Sequence, residues 1–177
     1  MLPGVQDRAQ RPPGDAEGLT HVDAQGRARM VDVSGKPLTL RTARAAATVR
    51  LTAAVRAQLW SGQLPKGEAL GVARLAGIQA AKETARLIPL CHALPLSHVG
   101  VDFEDDGADG LRILVEARTV AATGVDMEAI TAAAVAALCV YDMVKGVCRG
   151  ASIERVELLH KSGGRSGAWD RPLPEAP

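Results

Sequence analysis

Aromatic residues are almost missing from this chain. Only Trp60, Phe103, Tyr141 and Trp169 occur among 177 residues. That leaves no base-stacking platform for single-stranded nucleic acid, and the core has to be filled by Ala, Val, Leu and Ile. An excess of one charge is missing too. The 21 Lys and Arg against 20 Asp and Glu leave a formal net charge of +1, so there is no electrostatic case for a nucleic acid or membrane partner. Cys91, Cys139 and Cys148 show neither CxxC spacing nor an even count; reduced thiols in a cytoplasmic protein fit better than a disulfide framework. The opening MLPGVQDRAQRPPG has no apolar core of a secretory signal. No uninterrupted apolar run reaches the ~20 residues of a membrane span.

The length fits one domain with a real core. Residues 1–18, rich in Pro, Gly, Arg and Gln, read as a disordered extension. Residues 19–167 read as a single domain, and the proline-bearing 168–177 as a flexible tail. Between them, 45–51 reads as a weak strand. Thr52 caps a short helix ended by Gly62, and Glu68 to Ile88 reads as a long helix stopped at Pro89. Gly71 and Gly77 inside it predict tight packing against that helix. Leu96–Phe103 and Leu111–Val120 form a hairpin, a helix runs from Asp126 to Lys145, and Ile153–Leu159 alternates as the last strand. The order β-α-α-β-β-α-β is an α+β, ferredoxin-like βαββαβ pattern with an added helix. It predicts a four-stranded, mostly antiparallel sheet with helices on one face. The other face is expected to carry Val and Ile and to meet another subunit.

The helix from Asp126 organises the rest. Its apolar residues Ile130, Ala133, Ala134, Ala137, Leu138 and Tyr141 recur at helical spacing. Glu128 and Asp142 project within roughly 40° of each other, yet about 21 Å apart along the axis. One small molecule can hardly touch both, so the two ends serve different parts of an extended ligand or different sites. Asp126 and Glu128 read equally well as complements to the helix dipole. Asp142 and Lys145, at i and i+3, are either a surface ion pair or a coupled acid–base pair in which Asp142 shuttles a proton and holds Lys145 charged or poised, opposing any lowering by neighbouring cations. Cys91-His92 follows a helix-ending proline; adjacent extended residues point apart, and His98 stands at no zinc spacing. Lys161-Ser-Gly-Gly-Arg-Ser-Gly has the makings of an anion-binding loop, though not of a Walker A motif. With Arg41 and Lys66 it suggests a polyphosphate pocket.

The runs LTHVDAQGRARMVDVSGK, ARLAGIQAAKETARLIPLCHALPLSHV, TGVDMEAITAAAVAALCVYDMVKG and LLHKSGGRSG together resemble the cyclic pyranopterin monophosphate synthase family, the C proteins of molybdenum cofactor biosynthesis. The resemblance implies a phosphorus–oxygen lyase assembled as a homohexamer, a trimer of dimers, with sites at subunit interfaces. The implied reaction converts a cyclised GTP, 3′,8-cyclo-7,8-dihydroguanosine 5′-triphosphate, to the cyclic pterin monophosphate and diphosphate. Matched by motif, Asp142, Lys145 and Lys66 correspond to the catalytic set. Leu90, Cys91, His92, Met127 and Glu128 correspond to substrate-binding residues, and Arg41 and Lys161 to cations facing the phosphates. Ala93 stands where the family often has Pro. Asp126 replaces a frequent Glu, which shortens its reach. No resident cofactor is implied, and Mg2+ accompanying the triphosphate stays open. Two other readings carry less of the sequence. A nucleotide sensor leaves the acid–base pair idle, and a purely structural oligomer leaves the cations unused.

Overall fold

The computed structural model describes residues 25–107 and 110–172. The expected disordered extension, together with His21 and Asp23, lies outside the described residues. The chain divides into Met1–Val31 and Asp32–Pro177, and all that follows concerns the second unit.

Its elements are β1 (Thr39–Arg50), α1 (Ala53–Ser61), α2 (Ala69–Lys82), α3 (Thr84–Leu87), β2 (Leu96–Asp105), β3 (Gly110–Ala121), α4 (Asp126–Val144), β4 (Ser152–Ser162) and β5 (Trp169–Asp170). The sheet order is β2-β3-β1-β4-β5 and each described strand pairing is antiparallel. With α4 crossing from β3 to β4 over the central β1, this is the split βαβ arrangement of a ferredoxin-like fold.

Local chemistry sets the ends of α1. The Thr52 side chain accepts from Val55 N–H, and Gly62 closes the helix at φ 68°. The expected long helix breaks at Glu83, whose φ of −100° and ψ of 4° separate α2 from α3. β1 is longer than its sequence suggests. Its residues TLRTARAAATVR are poor strand formers, but pairing on both edges, with β3 and with β4, imposes the conformation. That places Arg41 on a strand. The expected flexible tail also needs correction, because Trp169 and Asp170 pair with Lys161 and His160 of β4.

Two further expectations hold only in part, one on α4 and one on the sheet. On α4 the buried face is Ala129, Ala132, Ala133, Ala136, Ala137, Val140 and Val144, whereas Leu138 is 57% exposed. Small side chains let the helix lie close on β1, β3 and α2, so the largest residues do not mark the face. Although α4 is long and apolar enough to cross a membrane by length and composition, that alanine face belongs to the core. The uncovered sheet face is mixed rather than a Val and Ile surface, with Leu40, Leu114 and Val120 set among charged residues. Ile113 and Val115 point inward, and the alternate positions carry Arg44, Arg112, Arg118, Asp102, Glu104 and Glu116.

Of the two helix glycines, only Gly77 marks a close approach between elements. A Cβ there would meet Ala132 O at 3.1 Å, Val101 Cγ2 at 3.2 Å and Ala136 Cβ at 3.3 Å. At Gly71 the near neighbour is the Glu68 carboxylate, which caps α2 by accepting from Gly71 N–H. Gly77→Val is therefore expected to force α2 off α4 and to cost about 1–3 kcal/mol in urea unfolding. Gly71→Ala, facing only a mobile carboxylate, is expected to cost less. Equal losses would contradict this packing.

Candidate active site

The α2–α4 contact fixes which residues meet. Gly77 lies on Ala132 and Ala136, and Lys66, just before α2, lies at Asp142 near the end of α4. The two helices are thus antiparallel. One end of the pair gathers residues from the Pro65-Lys66 turn and the last turn of α4; the other gathers Cys91 and the first turn of α4.

At the first end, three of the predicted residues form a single cluster. Lys66 Nζ lies 2.9 Å from Asp142 Oδ2 and donates to the Asp142 backbone carbonyl at 2.7 Å. Lys145 Nζ lies 2.7 Å from Asp142 Oδ1. Each carboxylate oxygen therefore holds one ammonium, and both cations sit at the negative end of the α4 dipole. The Lys145 hydrogen bond, then that of Lys66, then the charges of both, hold the Asp142 carboxyl down at about 2. In return the Asp142 hydrogen bond and charge raise Lys145, against some desolvation. Of the two opposed influences expected on Lys145, the hold of Asp142 is the one that prevails. The cluster is open to solvent, with side-chain exposures of 45% for Lys66 and 57% for Asp142. It is built to present two ammonium protons, with a carboxylate that fixes where they point.

At the other end lies a cleft of about 380 Å³ whose lining includes Lys36, Arg41, Asp126, Lys161, Arg165 and the loop Gly163–Gly167. Four cations face one carboxylate there, a balance suited to a polyanion. Arg41 is held from behind, with Nε donating to Ala121 O and Nη2 to Ala122 O, both at 3.3 Å. Gly163 and Gly164 let the loop lie against it, since a Cβ at either would collide with the Leu40 carbonyl or the Arg41 side chain. The predicted Arg41, Lys161 and Asp126 thus come together. Lys36 and Arg165 were not singled out as site residues, although Arg165 lies in the glycine-rich run that signalled the loop.

Beneath the first turn of α4, Glu128 is only 4% exposed. Burial pushes its carboxyl up to about 7, with its own backbone hydrogen bond opposing and the Asp126 charge adding to the rise. Burial also raises the Cys91 thiol, as do the charges of Glu128 and Asp126, which puts Cys91 in their neighbourhood. Leu90, His92 and Met127 are half-buried and are not among the cleft-lining residues. No side chain caps α4 at Val125. Among the described residues, no group of three or more His, Cys, Asp and Glu is placed to hold a metal ion.

The chain does not bring its two ends together. Asp142 lies fourteen residues from Glu128 on one unbroken helix, about 21 Å away.

Glu128 ties the site to pH. The folded chain holds its proton to about pH 7, whereas the ordinary value is 4.5. Between those values the folded state binds the extra proton, so this group's contribution to stability falls as pH rises through the window. Glu128→Gln, which mimics the neutral acid, is expected to gain on the wild type in urea unfolding steadily from pH 4.5 to 7. A constant difference across that window would contradict the buried neutral acid.

The model of the MoaC family matches residues 30–164. A curated protein of Geobacter sulfurreducens named cyclic pyranopterin monophosphate synthase is 54% identical over 154 residues, covering 86% of this chain and 96% of that protein. Proteins of the same name from Thermomicrobium roseum and Nostoc sp. are 54% identical over 159 residues and 49% over 163. They align with 89% and 92% of this chain, and with 96% and 97% of their own lengths.

Proposed function

The chain belongs to the MoaC family of molybdenum cofactor biosynthesis enzymes, and from that premise we propose that it makes cyclic pyranopterin monophosphate. The substrate is 3′,8-cyclo-7,8-dihydroguanosine 5′-triphosphate and the second product is diphosphate, which makes the reaction a phosphorus–oxygen lyase step. The observation that carries this reading is the Lys66–Asp142–Lys145 cluster, with Asp142 ionised between two ammonium groups.

Ring opening and rebuilding need proton donors and acceptors within hydrogen-bond reach. Lys66 and Lys145 enter as the donors. Asp142 is a weak base while both cations hold it, so its part in the resting site is to aim them. Once a lysine has given up its proton, that amine becomes the base for the next transfer. The new phosphate ester forms when a substrate hydroxyl attacks the α-phosphorus and the bond to the diphosphate oxygen breaks. Charge then builds on the diphosphate. Arg41, Lys161, Lys36 and Arg165 are the groups that neutralise it; Mg2+ would accompany the triphosphate as part of the substrate.

Leu90, Cys91, His92, Met127 and Glu128 are assigned to the substrate's ring end, with Asp126 at the border of the phosphate cleft. The 21 Å between the helix ends is bridged in this reading by a second copy of the chain. The cluster at one end of α4 and the cleft at the other end of a partner's α4 make one interfacial site. The proposed assembly is a homohexamer, a trimer of dimers, in the cytoplasm.

The test supplies purified protein with freshly made cyclised GTP and follows diphosphate release and pterin fluorescence together. Asp142→Asn is expected to slow both by on the order of 10²–10⁴ while leaving substrate affinity near that of the wild type. An Asp142→Asn variant that turns over at the wild-type rate would remove the cluster from the chemistry.

A further inference from the structure

The last residues described do more than trail from the sheet. We propose that Trp169–Arg171 is a clasp that closes the loop Gly163–Ala168 against Arg41, with Asp170 and Arg171 as positioning residues for polyphosphate. The proposal rests on reading the cleft as the phosphate site.

The loop has a strong reason to be disordered if left alone. Gly163, Gly164 and Gly167 sit at φ 102°, 73° and 69°, and glycine loses more backbone freedom on ordering than any other residue. Within the loop the one backbone hydrogen bond is a long one, Gly167 N–H to Gly164 O at 3.4 Å. Order must therefore come from its ends.

One end is β4. The other is held by a dense set of contacts for so short a strand. Arg171 N–H donates to Leu159 O at 2.8 Å. Its Nε donates to Leu158 O at 2.6 Å and lies 3.2 Å from Glu157 Oε2. The guanidinium also stacks over the Trp169 ring at 5.9 Å. Asp170 Oδ1 lies 2.8 Å from His160 Nδ1 and 4.0 Å from Arg44 Nη2. These contacts turn a glycine-rich tail into a closed hairpin loop, and the closed loop is what lies on Arg41. The match to the family model ends at Gly164, so the clasp lies beyond it.

The experiment compares the full chain with a chain ending at Ala168, which keeps every cleft-lining residue, and with Arg171→Ala and Arg171→Lys. The probe is inorganic tripolyphosphate, titrated calorimetrically, alongside amide hydrogen exchange at 163–167. Loss of the clasp is expected to weaken binding about tenfold through lost preorganisation and to speed exchange in the loop. Arg171→Lys should fall between. In turnover, KM should rise with kcat within about twofold. Arg171→Ala alters only the edge of the sheet and carries the test if the shortened chain fails to fold. Unchanged affinity in the variants would overturn the clasp, and so would weaker binding with unchanged loop exchange. A full chain that binds no tripolyphosphate would instead fail the phosphate reading of the cleft, and the clasp with it.

Discussion

The close contact of α4 with α2 and the sheet is the constraint on which the rest depends. It is made by alanine and glycine. Each small residue buries little apolar area alone, but the missing side-chain volume lets α2 lie so close to α4 that even a Cβ at Gly77 would meet Ala132 O, Val101 Cγ2 and Ala136 Cβ at 3.1–3.3 Å. Because the helices run antiparallel, that approach delivers the Lys66 turn to the last turn of α4, and the chain after α3 to its first turn. Lys66 and Asp142 are 76 residues apart in sequence, and only this packing joins them.

Given that scaffold, the electrostatics of the two ends diverge. At the end of α4, Asp142 is exposed and flanked by two ammonium groups, so its ionised form is favoured and Lys145 is held charged in return. At the start of α4, Glu128 is buried beside Asp126, so its neutral form is favoured to about pH 7. Two carboxyls on one helix are thus set to opposite protonation states by burial and by partner, which is how one fold assigns different work to the same functional group. The cleft beyond adds four cations facing a single carboxylate.

Much of this was legible in the sequence, and the failures share a cause. Helix caps and breakers are local, so Thr52, Gly62 and the start of α4 at Asp126 could be read directly. The β4 motif carrying Lys161 and the pair Asp142 and Lys145, one helical turn apart, were likewise visible. What depended on tertiary packing was not. The buried face of α4 is alanine, which hardly registers in a hydrophobic pattern. β1 is held as a strand by neighbours on both sides. The mixed, charge-bearing outer face of the sheet follows from which parity of β3 turns inward. Residue pattern alone puts Lys66 among the phosphate-facing cations, yet it lies at Asp142 and not in the cleft; only the resemblance pairs it with Asp142, since an exposed lysine in a turn carries no signal of its own. Trp169 and Asp170 were missed because prolines nearby read as a tail, whereas the Arg171 contacts that pin them are long-range.

The account's central claim is that Asp142 of one copy works with the cation cleft of another. Co-expression of Asp142→Ala and Arg41→Ala chains, each inactive as the sole chain, tests it directly through diphosphate release from cyclised GTP. A site shared between copies predicts that mixed oligomers regain a substantial fraction of wild-type activity, because some interfaces then carry both intact halves. Mixed oligomers as inactive as either parent would contradict the shared site and return both halves to a single chain.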